Sequence, residues 1–201
     1  MRLLISILGV TALSGCMGNG PMFKGGLFNG MGGPETTTAP EAAVTEDVAQ
    51  VAPGTNLPYG EVATVCGLSN NDMGTRIGEA SGYSLYDSGG DGSVGRTHYM
   101  TGFKDGCARQ FTAALAMFGD LETHELMRYG ALRDLPYGEA DATYERLKAE
   151  VCGVASGQPC GSKLRGFSRN ATFVTVYETF GTNPEWTNIL LYNGQVAAVD
   201  E

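Results

Sequence analysis

Residues 17–58 set the outer limit on what this chain can fold into, because they carry little that a hydrophobic core could use. Residues 17–33 hold Gly18, Gly20, Gly25, Gly26, Gly30, Gly32 and Gly33 among Met, Phe and Asn, and residues 34–58 are rich in Thr, Ala, Pro and acidic side chains. Ordering such stretches costs backbone entropy that their small apolar surface does not offset. They are expected to form a tether whose 42 residues, as a flexible coil, reach about 35 Å. Phe23, Leu27, Phe28 and Met31 lack helical spacing, which makes docking of this cluster on a membrane or partner the lesser reading. Residues 59–201 remain, and their 143 positions are the size of one ordinary domain.

Within that domain the pattern runs from strand to helix and back to strand. Residues 61–68 read as a first strand ended by Ser69, Asn70 and Asn71, with a short helix or turn expected through Arg76 and Ile77. Residues 83–87 and 97–103 are the next two apolar runs, joined by the glycine-rich stretch 88–95. Cys107, Phe111, Ala114, Leu115 and Phe118 then recur at intervals of three and four, which predicts a helix with Cys107 at its start and Gly119 at its end. Asp120 is placed to cap a second helix to about Leu132. Pro136 and Gly138 precede a third, on which Tyr144, Leu147 and Val151 share a face up to Cys152. Strand chemistry returns after Arg169, and Asn193-Gly194 between two apolar runs is a two-residue hairpin signal. The expected fold is α+β, an antiparallel sheet with three helices on one face.

Leu13, Ser14 and Gly15 stand directly before Cys16, at the end of an apolar run of eleven residues that follows Met1 and Arg2. That run is the length of a signal-peptide h-region and too short to span a bilayer. The N-terminus resembles the lipobox of bacterial lipoproteins. The resemblance implies a signal peptide over residues 1–15, a mature chain beginning at an acylated Cys16, a tether over 16–58, and a globular domain over 59–201 in the periplasm. Met17, where an Asp would retain an enterobacterial lipoprotein in the inner membrane, implies the outer membrane. The implied partner at this end is the lipid bilayer, engaged through acylated Cys16. With Cys16 assigned to lipid, the even remainder in an oxidising compartment implies two disulfides. Of the three possible pairings, Cys152 with Cys160 closes a short loop through Gly153, Gly157 and Pro159 and leaves Cys66 with Cys107.

The rest of the chain is poor in catalytic constellations. Residues 59–201 carry 11 Lys and Arg against 18 Asp and Glu, an acidic balance that repels phosphate backbones and argues against nucleic acid as a partner. The four cysteines lack the closely spaced pairs of a tetrathiolate zinc site. His124-Glu125 begins a zinc-protease helix motif, but Arg128 stands where the second His belongs, so His124 reads as a surface or partly packed residue. Asp87, Asp91, Gly92 and Ser93 resemble a calcium loop, yet a loop starting at Asp87 puts Gly89 at its third position and His98 at its twelfth, so a solvated turn is expected. Cys107 at a helix start resembles the nucleophile of papain-related cell-wall peptidases, although the later strands bring no histidine; a disulfide to Cys66 is the plainer expectation. Glu139, Asp141, Glu145 and Glu150 read as a solvated helix face, and no acid pair is marked as facing another across a cleft. Tyr83, Tyr86, Tyr99, Phe103, Trp186 and Tyr192 read as core before they read as a ligand platform. No catalytic residue, metal or cofactor is assigned. The expectation is a non-catalytic envelope lipoprotein whose domain binds a protein partner or cell-wall component, against two alternatives: a cell-wall hydrolase using Cys107 or a carboxylate pair, and a small-ligand binding module.

Overall fold

A computed structural model describes residues 48–90, 95–181 and 185–200. Cys16 and the lipobox residues, and Asp91, Gly92 and Ser93 of the glycine-rich stretch, lie outside them. The fold is α+β. Strands β1 (Val62–Val65), β2 (Thr75–Ala80), β3 (Tyr83–Asp87), β4 (Arg96–Thr101) and β5 (Ala108–Ala113) form one antiparallel sheet in the order β1-β5-β4-β3-β2. Strands β6 (Leu115–Gly119), β7 (Ala171–Tyr177), β8 (Trp186–Tyr192) and β9 (Gln195–Val199) form a second, in sequential order. Helices α1 (Leu121–Tyr129), α2 (Glu139–Cys152) and α3 (Leu164–Phe167) lie between β6 and β7 in the chain and cover one side of the second sheet.

The two sheets pack face to face through Tyr83, Leu85, Met100, Phe111 and Ala113 on one and Ala116, Val174, Val176, Ile189 and Leu191 on the other. On the opposite face of the second sheet, Phe173, Leu190 and Ala198 meet Leu121, Ala140, Tyr144, Leu147 and Phe167 of the helices. The outer face of the first sheet buries Tyr86, Tyr99 and Ala108 under Met73 and Leu68.

Local chemistry explains most boundaries. Asp120 accepts from the Thr123 backbone N–H at 2.8 Å and caps α1 as expected. The first turn of α2 is capped from the far end of the chain, where the Asp200 carboxylate accepts from the Ala140 N–H at 2.8 Å. Gly138 makes room for that approach, since a Cβ there would stand 2.3 Å from Asp200 Oδ1. The hairpins at Ser81-Gly82 and Asn193-Gly194 have both central residues in the left-handed region, the twist that two-residue turns between antiparallel strands require.

Three expectations are corrected. Residues 107–118 are strand and not helix: β5 and β6 are one continuous run that leaves the first sheet at Ala114 and enters the second at Leu115. Arg109, Phe111 and Ala113 face the space between the sheets in β5, whereas Ala116 and Phe118 do so in β6, so the inward parity flips at the crossing. That flip, and the burial of residues on both sheet faces, counterfeits a helical three-and-four spacing. Residues around Arg76 and Ile77 form the edge strand β2, bulged between Arg76 and Gly78 where the chain passes Phe118. Finally, the folded region takes in residues before 59. Gln50 bridges to Thr64, Leu57 is buried, and the buried Gln110 amide accepts from the Gly54 N–H and donates to the Thr55 carbonyl.

Candidate functional site

The four cysteines of the described residues are all engaged. Cys66 and Cys107 form a disulfide from the end of β1 to the start of β5, their Cα atoms 4.4 Å apart, and Cys152 and Cys160 form a second, with Cα atoms 5.4 Å apart. Cys107 therefore stands directly before strand β5, without the helix dipole that the spacing predicts for it. No group of three or more His, Cys, Asp and Glu that could hold a metal ion occurs among the described residues.

Both histidines face the interior. His124 lies between aromatic rings, stacked on Phe173 at 4.1 Å and edge-on to Tyr144 at 4.8 Å. Its Nε2 is 3.4 Å from Asp141, a carboxylate that Arg128 Nε also meets at 3.1 Å. Burial pushes the His124 imidazole down to about 4, and the neighbouring Arg128 charge works in the same direction. His98 is fully buried between the sheets, its ring stacked against Phe111. Burial lowers its pKa as well.

Glu145 and Asp141, expected on a solvated helix face, are instead drawn into a polar layer between α1 and α2. Glu145 accepts from Tyr129 Oη at 2.6 Å, from the fully buried Lys148 ammonium at 2.7 Å and from the Gly157 N–H at 2.8 Å. Burial alone would lift its carboxyl, but these donors together hold it below its ordinary value. Glu125 accepts from Tyr144 Oη at 2.8 Å and from the Cys160 N–H at 3.0 Å. The loop closed by Cys152–Cys160 thus supplies a backbone donor to each buried carboxylate. Sequence reasoning missed Glu125, Arg128 and Lys148. Their only signal was the spacing of acids and bases at three residues, which an exposed helix face shares.

A second polar group sits at the mouth of the sandwich. Arg96 clasps Asp87 with two N–H donors and gives a third, at 2.7 Å, to the carbonyl of Ala114, where the chain changes sheets. These hydrogen bonds to Arg96 hold the Asp87 carboxyl below its usual range. Asp87 is therefore committed to a guanidinium at the position where a calcium ligand would stand. The group locks a corner and commits the Asp87 carboxylate.

Among the described residues, the helices cover only part of the sheet face beneath them. Phe173 and Leu190 are roofed, but farther along the same face lie the cross-strand rows Met117, Thr175, Asn188 and Leu115, Tyr177, Trp186. Trp186 is 51 % exposed and Met117 45 %, and Phe180, in the connection after β7, is 56 % exposed. The remaining flagged aromatics are core: Tyr83 and Phe103 between the sheets, Tyr86 and Tyr99 on the outer face of the first sheet, with Tyr192 packed against the helical cluster. The chain matches no protein-family model, no curated protein and no solved structure.

Proposed function

We propose that this chain is a non-catalytic lipoprotein of the bacterial cell envelope. In this reading an acylated Cys16 holds it to the membrane, the outer membrane in preference to the inner, and its periplasmic domain binds a protein partner or a cell-wall component. The observation that carries the binding role is the Cys66–Cys107 disulfide, because the thiol best placed in sequence to act as a nucleophile is spent on a cross-link. Disulfides of this kind persist in oxidising compartments, which agrees with the address implied by Leu13, Ser14, Gly15 and Cys16. The half-open sheet face with Trp186 and Met117 supplies apolar surface of the kind that binding modules present.

Thiol counting on mature protein purified from membranes tests this reading, with a mass-shifting alkylator applied before and after reduction. The expected result is no free thiol before reduction, with peptides linking Cys66 to Cys107 and Cys152 to Cys160. A reactive, unpaired Cys107 would overturn the binding role and favour a cell-wall hydrolase.

A further inference from the structure

The segment after the Cys152–Cys160 loop concentrates positive charge on an otherwise acidic domain. Residues 59–201 contain 11 Lys and Arg. Among the described residues, Arg76, Arg96, Arg109, Arg128, Arg133 and Lys148 each lie within ion-pair distance of a carboxylate. Lys104 and Arg146 do not, nor do Lys163, Arg165 and Arg169, and these last three all border one open cleft of about 440 Å³, together with Ser162, Val151 and the backbone around the buried Phe167. The floor at Gly166 is open: a Cβ there would meet only an Arg169 guanidinium nitrogen, at 3.8 Å. Lys163 is oriented by one hydrogen bond, 3.0 Å to the Cys152 carbonyl at the C-terminal end of α2, which leaves two of its N–H groups unused by that contact.

Three cations with no carboxylate at ion-pair distance border one open cleft, an arrangement that favours an anion there. We infer that this cleft binds a ligand through a phosphoryl group. Two guanidinium forks and an ammonium match the several acceptor oxygens and the near-double negative charge of a phosphate monoester better than they match a single carboxylate. The cleft, of about 440 Å³ and open to solvent, leaves room beside a bound phosphoryl group for the rest of an ester. The half-buried Val151 then offers apolar surface to the carbon skeleton that bears the phosphate. A soluble phosphate ester and the headgroup of an anionic phospholipid share this chemistry. A polynucleotide does not suit the site, since the surrounding domain is acidic.

The test uses the full chain carrying Cys16→Ala, so that no acyl anchor contributes and a failure here leaves the proposed envelope address untouched. Amide shifts of the isotope-labelled protein are followed at low ionic strength while inorganic phosphate, and separately glycerol 3-phosphate, is added. Phosphatidylglycerol and phosphatidylcholine vesicles are sedimented with the protein in parallel. The expected result is saturable shifts confined to residues 162–169, tighter for glycerol phosphate than for phosphate. The exposed pair Arg165→Gln/Arg169→Gln is expected to weaken binding at least about tenfold, as loss of two charge-assisted contacts implies. A control pair, Arg76→Gln/Arg133→Gln, should leave it within about twofold, because it changes net charge equally and touches no cleft residue. Saturation by the ester without vesicle retention assigns a soluble ligand, whereas retention on phosphatidylglycerol alone, lost in the Arg165/Arg169 variant, assigns the headgroup. Shifts that rise linearly with no vesicle retention, or equal losses in both variant pairs, would overturn the inference.

Discussion

His124 gives the helical layer a dependence on pH that its surroundings make predictable. The imidazole is held between Phe173 and Tyr144; the nearest carboxylate, Asp141, is shared with Arg128, and the opposing charge of Glu145 is outweighed by burial together with Arg128 and Lys148. A ring in that setting is stable neutral, which is why its pKa falls from 6.5 to about 4. In the unfolded chain the same ring takes a proton near pH 6.5, so between there and pH 4 unfolding is accompanied by proton uptake. The contribution of His124 to stability is therefore complete above about pH 6.5 and is lost as pH falls toward 4, by up to about 3 kcal/mol. His124→Phe keeps an aromatic ring on Phe173 and cannot titrate. Urea unfolding at pH 7 and at pH 4.5 should show wild type losing about 2 kcal/mol more than the variant over that interval. Equal losses would mean that Asp141 and Glu145 keep the ring charged inside the fold. Lys148 and Glu145 follow a different logic, because each is buried only by virtue of the other and of the Tyr129 hydroxyl between them. Removing either would strand a charge in the interior, which makes the pair a determinant of how α1 and α2 register and a poor candidate for exchange with solvent.

Among the elements, α1, α2 and the β8–β9 hairpin were legible in the sequence, for reasons that lie in a few residues. Asp120 caps, Tyr144 and Leu147 repeat at helical spacing, and Asn193-Gly194 admits the left-handed turn. The β5–β6 run was not legible, because Ala114 reverses which side chains face inward and the sum of two strand periods imitates one helix. Strand β2 escaped because it is an edge, with Thr75, Arg76, Ile77 and Glu79 all exposed and no alternation to read. Residues 48–58 escaped because their attachment runs largely through backbone groups held by Gln110, which composition does not report. The disulfide loop between α2 and α3 shows how a cross-link can do more than its length implies. Cys152 and Cys160 are 8 apart, and chain entropy alone gives about 2.5 kcal/mol for a loop of that size. The same loop carries the N–H groups of Gly157 and Cys160 that hold Glu145 and Glu125. Cys152→Ala/Cys160→Ala is therefore expected to cost more than about 2.5 kcal/mol in urea unfolding, since loosening the loop also exposes two buried carboxylates to loss of a donor. A cost at or below that figure would show that the helices hold both carboxylates without the loop.

For the molecule as a whole, the decisive matter is whether membrane attachment and folding are separable. No helix among the described residues is long and apolar enough to cross a bilayer. The core clusters are built from residues 57–199, far along the chain from Cys16. If attachment resides in acyl chains on Cys16, it draws on about 0.8 kcal/mol for each buried methylene, enough with several chains to resist a salt wash. Any contribution from Lys163, Arg165 and Arg169 to an anionic surface would instead be screened as ionic strength rises. High salt therefore separates the two sources of affinity. Cys16→Ala is expected to move the protein from the membrane fraction to the soluble fraction after a high-salt wash, with its thermal unfolding midpoint unchanged. The unchanged midpoint shows that the domain folds without the anchor, and the fractionation shows that the anchor alone held it. A variant that stays with membranes through the wash would place the attachment elsewhere in the chain and would remove the premise on which the envelope address rests.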